Sequence, residues 1–160
     1  MPDVELPFSR GEYADRLSKV RTVMDNGGLE VLVAADPSNM SWLTGYDGWS
    51  FYSPQAVIVT HDGEPWWWGR RMDANGARRT VYMDEARILD YSDDHVMSTE
   101  RHAFGQLAGL LDGMGHGSAR GGVELCRVHD GSDGRDHQSS GEVPLHVRWS
   151  SQRSDGGQSI

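Results

Sequence analysis

Cysteine and lysine are almost absent from this sequence: Cys126 and Lys19 are the sole examples of each. A single thiol excludes an internal disulfide framework and a cysteine-based zinc site, and it fits a reducing cytoplasm. With one lysine, the basic complement is nearly all arginine; 15 basic residues face 24 acidic ones, for a formal net charge of −9. That balance works against a polyphosphate partner at long range, so nucleic acid is not an expected ligand. No uninterrupted apolar run approaches the roughly 20 residues of a membrane span. Met1 to Arg10 carries acids and a proline where a secretory signal needs a basic stretch followed by an apolar one. No membrane partner and a cytoplasmic location are therefore expected. Apolar residues are themselves scarce, at 37% of the 160 residues. They must be unevenly spread, which points to one compact unit and a tail that does not fold.

The patterned part begins with Ser9 and Glu12 in capping-box spacing. Tyr13, Leu17, Val20 and Met24 then recur every three or four residues up to Gly27 and Gly28, which predicts a surface helix with a glycine stop. Leu29 to Ala35 is a short valine-rich run bounded by Asp36 and Pro37, as expected of a buried strand. Pro37 to Gly45 opens with helix-start chemistry and closes on glycine, predicting one or two helical turns before a glycine-punctuated aromatic loop. Gln55 to Thr60 and Glu64 to Gly69 are strand-like and flank His61, Asp62 and Gly63, so they should pair antiparallel. Arg71 to Arg79 is helix-compatible, and Thr80 to Met83 and Ala86 to Tyr91 read as two further short strands. Ser98 is the expected cap of a helix running through Phe104, Leu107, Leu110 and Leu111 to about Met114. Gly122 to Leu125 reads as one last strand.

From Cys126 to Ile160 the composition turns to Gly, Ser, Asp, Arg and His with no sustained period. Such a segment cannot bury enough apolar surface to offset an ordering cost of roughly 1 to 2 kcal/mol per residue. The expected organisation is a domain over residues 1–125 and a disordered or non-native tail over 126–160.

Asp36-Pro37-Ser38-Asn39-Met40-Ser41-Trp42-Leu43-Thr44-Gly45-Tyr46 resembles the Asn-x-x-Tyr-Leu-Thr-Gly stretch of creatinase, prolidase and aminopeptidase P amino-terminal domains. Its extension through Trp49-Ser50-Phe51-Tyr52, with Trp66-Trp67-Trp68-Gly69-Arg70 and Asp73-Ala74-Asn75-Gly76-Ala77, is similar to the ectoine hydrolase branch. The likeness covers about Leu6 to Leu125. It implies an α/β fold with a mixed sheet flanked by helices in three layers. In such hydrolases this domain precedes a larger pita-bread domain that holds the catalytic residues and, in the peptidase branches, a dinuclear metal site. Dimers commonly lay a loop of the first domain over the neighbouring subunit's active site. Gly122-Val123-Glu124 resembles the family's Gly-Val-Glu near the domain junction, after which the likeness ends. A frameshifted or truncated gene and a natural short paralogue both account for that ending. Either way the resemblance implies an amino-terminal substrate-covering and dimerisation domain, expected to be inactive alone. A free-standing binding module, or a fragment of an Xaa-Pro dipeptidase or related lyase, is the alternative.

No catalytic residue, metal ligand or cofactor is assigned in this chain. His95 with Asp93 and Asp94, and His129 with Asp130 and Asp133, are carboxylate-histidine groups in a predicted turn and in the tail, where ligands lack fixed support, so both read as solvated surface. Gly113, Gly115 and Gly117 lack the following helix that a phosphate loop requires. Cys126 reads as an incidental thiol and not a nucleophile. The candidate substrate-binding residues are Trp49, Phe51 and Tyr52, large rings on a glycine loop with no evident core to enter. Two roles stay open for them: covering the delocalised cation of a small zwitterionic, ectoine-like ring, at roughly 0.5 to 2 kcal/mol per aromatic face, or packing on a second subunit or a full-length relative. Creatinases carry Phe-Gly-Arg here, its arginine holding the substrate carboxylate; Phe51, Tyr52 and Ser53 stand in its place, which argues against creatine. In the Trp66 to Trp68 triplet, alternation along a strand puts at least one ring in the core. Arg70 and Asp73 read as an exposed structural pair, with hydrogen bonding to a zwitterion as the other reading.

Overall fold

The computed structural model describes residues 4–48, 50, 52–96, 98 and 100–123. Helix α1, Arg10–Gly27, starts where the Ser9 hydroxyl oxygen accepts the Glu12 N–H at 3.2 Å. The Glu12 carboxylate takes the Arg16 Nε–H at 3.0 Å, one turn on. Tyr13, Leu17, Val20 and Met24 are buried on one face, each burial contributing about 1.5–3 kcal/mol for a large apolar side chain. Arg16 is buried too: its guanidinium donates to the Trp42 carbonyl at 3.0 Å and lies 4.1 Å from the Phe8 ring centroid, tying α1 to the next helix of the chain.

Strand β1, Val31–Ala34, leads into that helix, α2, Pro37–Thr44. Asp36 caps α2 by accepting from Ser38 N–H at 2.8 Å and Asn39 N–H at 3.3 Å, and Pro37 occupies the first turn, where no amide donor is needed. Gly45 ends α2 at φ +79°; a Cβ there would also lie 2.9 Å from the Tyr13 hydroxyl and 3.1 Å from the Thr80 carbonyl, so glycine is required twice over. Strands β2, Ala56–Thr60, and β3, Trp66–Arg70, form the antiparallel pair expected around Asp62-Gly63. Helix α3, Arg71–Thr80, strand β4, Ile88–Tyr91, helix α4, Ala103–Gly113, and strand β5, Gly121–Val123, complete the order, with short 3-10 turns at Glu85–Arg87 and Asp93–His95.

The five strands lie in the order β4-β3-β2-β1-β5. The β1-β2 and β2-β3 pairs are antiparallel, and β1-β5 and β3-β4 are parallel, so the sheet is mixed. Because successive side chains point to opposite faces, Leu32, Val57, Val59 and Trp67 join residues of α1, α2 and α3 in one core layer. Val31, Val33, Ile58 and Trp68 join Ala103 and Leu107 of α4 in the other. Trp67 and Trp68 are both fully buried, one on each face, where the sequence required only one.

Two expected features differ. Thr80 to Met83 is not a strand: Val81, Tyr82 and Met83 are buried without a ladder, the Tyr82 N–H donating to Thr44 O at 3.2 Å while its ring stacks 4.9 Å from Tyr13. An apolar triplet signals burial, and here a bend under α1 supplies it. Ser98 does not cap α4; its hydroxyl accepts the Glu100 and Arg101 N–H groups in a preceding turn, and the cap is His102, whose ring nitrogen accepts Phe104 N–H at 3.2 Å. No helix among the described residues is long and apolar enough to cross a membrane. The tail, with Cys126 and the His129, Asp130 and Asp133 group, lies outside the described residues, as do Glu124 and Leu125 of the last expected strand.

Candidate functional site

The loop between α2 and β2 leaves Gly45 and at once returns a ring to the core. Tyr46 is buried, donates its hydroxyl to Gln55 Oε1 at 2.9 Å and lies 5.3 Å from the Trp67 ring. Burial, and then the charge of Asp73, push its phenol up to about 12. Trp67 reaches this place because residue 69 is glycine: a Cβ on Gly69 would stand 2.5 Å from Trp67 Cη2 and 3.2 Å from Gln55 Cβ. Ser53 Oγ, Gln55 Nε2 and Trp67 Nε1 are buried with no hydrogen-bond partner among the described residues.

At the corner where β3 turns into α3, Arg70 donates through Nε to Asp73 Oδ2 at 3.0 Å and through Nη2 to Oδ1 at 3.3 Å. Ser50 of the loop donates its hydroxyl to Asp73 Oδ1 at 2.6 Å. The two charged side chains retain 13% and 9% of their exposure, so the pair is not the exposed one read from the sequence. The loop lies over a corner that puts residues 70 and 73 side by side, and Asp73 also meets the positive end of α3.

Tyr52, beyond this anchor, is 66% exposed, and the Arg70 guanidinium lies 5.8 Å from its ring centroid. Met72 is 61% exposed, and its sulfur takes Arg70 Nη2 at 3.6 Å. The result is an aromatic ring and a thioether, both open to solvent, beside an arginine whose charge Asp73 already balances. Of the three candidate substrate-binding rings, Tyr52 is thus located at the surface; Trp49 and Phe51 lie outside the described residues. Ser50 and Tyr46 were not among the candidates. A serine 23 residues from its carboxylate carries no local signal, and a tyrosine between glycines reads as exposed.

The Asp93 to His95 segment is a surface turn. His95 Nδ1 stands 3.2 Å from Asp94 Oδ1, and Arg101 reaches Asp94 Oδ2 at 2.7 Å. A hydrogen bond from the Ser92 side chain, followed by those from His95 and Arg101, holds the Asp94 carboxyl down to about 2. Among the described residues no group of three or more His, Cys, Asp and Glu side chains is placed to hold a metal ion.

A five-stranded mixed sheet between helical layers, with a glycine-bounded aromatic loop at the end of its second helix, defines the class. Residues 16–128 match the Creatinase/Prolidase N-terminal domain family, and the chain belongs to it. Within that family it is 57% identical over 108 residues to the Ectoine hydrolase of Halomonas elongata, covering 68% of this chain and 27% of that protein. It is 40% identical over 107 residues to an uncharacterized hydrolase/peptidase of Sinorhizobium fredii, covering 66% of this chain and 27% of that one. The chain therefore spans about a quarter of the length of these curated relatives. The solved N-terminal domain of Xaa-Pro dipeptidase from Lactobacillus brevis superposes with a TM-score of 0.56 at 14% identity, over 71% of this chain and 80% of that one, a likeness of fold alone.

Proposed function

We propose that residues 1–125 form the amino-terminal, substrate-covering and dimerisation domain of a hydrolase that opens a C–N bond in a small cyclic zwitterion of the ectoine type. The observation that carries this reading is the exposed ring of Tyr52 on a loop anchored at Ser50. The 57% identity to an ectoine hydrolase supports the choice of substrate class.

The chemistry open to such a loop is recognition. An amidinium-like ring spreads its positive charge over several atoms, and an aromatic face attracts it by roughly 0.5 to 2 kcal/mol. Trp49 and Phe51, neighbours of Tyr52 in sequence, would add faces of the same kind. Arg70 cannot serve as a strong anion clamp while Asp73 holds it bidentately. The hydrogen bond from Ser50 to Asp73 limits the loop's freedom, which lowers the entropy lost when a ligand or a second subunit is covered.

Two measurements test the reading. The chain alone, incubated with ectoine, is expected to yield no ring-opened product above buffer, since none of its described residues is assigned a catalytic role; turnover would refute the covering role. In light scattering it is expected to run as a dimer that Tyr52→Asp weakens, and a monomer insensitive to that change would remove dimerisation.

A further inference from the structure

Beside the anchored corner stands a sulfur with no part in the recognition chemistry above. Met72, in the first turn of α3, is 61% exposed, against 5% or less for Met24, Met40 and Met83. Methionine is apolar and flexible, and its usual use is to fill gaps in a core. Here it lies on the surface with its thioether 3.6 Å from Arg70 Nη2. An exposed thioether is open to oxidants, and this one already has a hydrogen-bond donor beside it.

Arg70 has its charge balanced but still has N–H groups to give. A guanidinium holds its donors in a fixed plane, and Asp73 takes one from Nε at 3.0 Å and one from Nη2 at 3.3 Å. That side-on pairing leaves the second hydrogen of Nη2 for the Met72 sulfur, one of the weakest acceptors a side chain offers. An anion at this place would compete with Asp73. A neutral, strongly dipolar oxygen would satisfy the donor and leave the ion pair intact, and oxidation of the thioether creates such an oxygen.

We propose that Met72 is a site of oxidation by peroxide and that Arg70 holds the sulfoxide formed. A sulfur lone pair attacks one peroxide oxygen; the S–O bond forms as the O–O bond breaks, and the departing oxygen takes the proton of the transferred one and leaves as water. The sulfur gives up an electron pair, and the peroxide is reduced by it. The new oxygen sits on a sulfur 3.6 Å from Nη2, within reach of a hydrogen bond to that nitrogen. Arg70 also meets the Tyr52 ring at 5.8 Å and shares Asp73 with the Ser50 hydroxyl, so a firmer Arg70 means a firmer loop. Oxidation thus tightens this corner, the opposite of its effect in a core. The site needs no substrate and does not depend on what the loop covers.

The full chain, treated with dilute hydrogen peroxide and followed by peptide mass spectrometry, is expected to take up oxygen at Met72 about tenfold faster than at Met24, Met40 or Met83. Amide exchange through residues 45–53 is expected to slow about threefold in the oxidised chain, as for one added hydrogen bond to a charged group at the surface. The Arg70 Nε–H resonance should move in the same sample. Met72→Leu, a change at an exposed position, should leave exchange in the untreated chain nearly unaltered and remove the response of both the loop and Arg70 to peroxide. Uptake at Met72 no faster than at the buried methionines, loop exchange unchanged or faster after oxidation, or a response that persists in Met72→Leu would overturn the proposal.

Discussion

Arg70 and Asp73 would count for little on an open surface, where such pairs contribute about 0–1 kcal/mol. At 13% and 9% exposure, and with Ser50 as a third member, removing one partner leaves a nearly buried charge alone. Asp73→Ala is therefore expected to cost about 3 kcal/mol in urea unfolding, and to raise amide exchange through residues 45–53 beyond the rise elsewhere. A loss below about 1 kcal/mol with unchanged exchange in the loop would show that the corner does not anchor it. The sequence carried part of this arrangement. It read Arg70 and Asp73 as a pair but an exposed one, because their burial depends on a loop folded over the corner, which no local spacing records. It likewise put a tryptophan of the triplet in the core by strand alternation. It held no sign that Gly69 lets Trp67 lie under Tyr46, because that contact joins β3 to the distant loop after α2.

Among the elements, those with both ends marked by local chemistry were legible in full. Ser9 and Gly28 bracket α1, Asp36 and Gly45 bracket α2, and Asp62-Gly63 joins β2 to β3. Asp36→Ala, which removes the acceptor for two amides of the first turn of α2, is expected to cost about 1 kcal/mol. Asp36→Ser should recover most of it in the same denaturation series, and an Asp36→Ala chain as stable as the parent would mean that Pro37 alone fixes the start. Legibility failed where burial and backbone pairing part company. Val81 to Met83 is apolar enough for a strand but lies in a bend, and Ser98 is a good cap used by a turn ahead of α4. Both errors read a real local preference and assigned it to the wrong neighbour.

Across the molecule the family was legible in the Asp36 to Tyr52 stretch, and the three-layer mixed sheet followed as what that resemblance implies. The two faces of the sheet bury tyrosines in a way that composition does not reveal. Tyr46, Tyr82 and Tyr91 are each pushed from 10.0 to about 12, chiefly by burial. A folded chain thus keeps protons that an unfolded one has released, so their contribution to stability is complete below pH 10.0 and drains away as pH climbs towards 12. Urea midpoints should hold steady up to about pH 10 and then fall, with phenolate absorbance from these rings rising in step with unfolding. A midpoint unchanged to pH 12 would contradict the burial of all three.

The parallel pairing of β1 with β5 also sets a timetable. Glu30 N–H donates to Arg120 O at 3.0 Å, and Arg120 N–H returns to the Glu30 carboxylate at 2.9 Å across a separation of 90 residues. On a ribosome, β1 to β4 emerge and can assemble long before Gly121 leaves the exit tunnel, and closing so large a loop is entropically slow. The edge strand is then the last piece to dock. Glu30→Ala should accelerate unfolding while leaving the refolding rate nearly untouched in stopped-flow chevrons, whereas slowed refolding would put this seam in the folding nucleus. Until that strand arrives, the nascent sheet carries an unzipped margin along β1, the place where a trigger-type chaperone or a stray neighbour would first take hold.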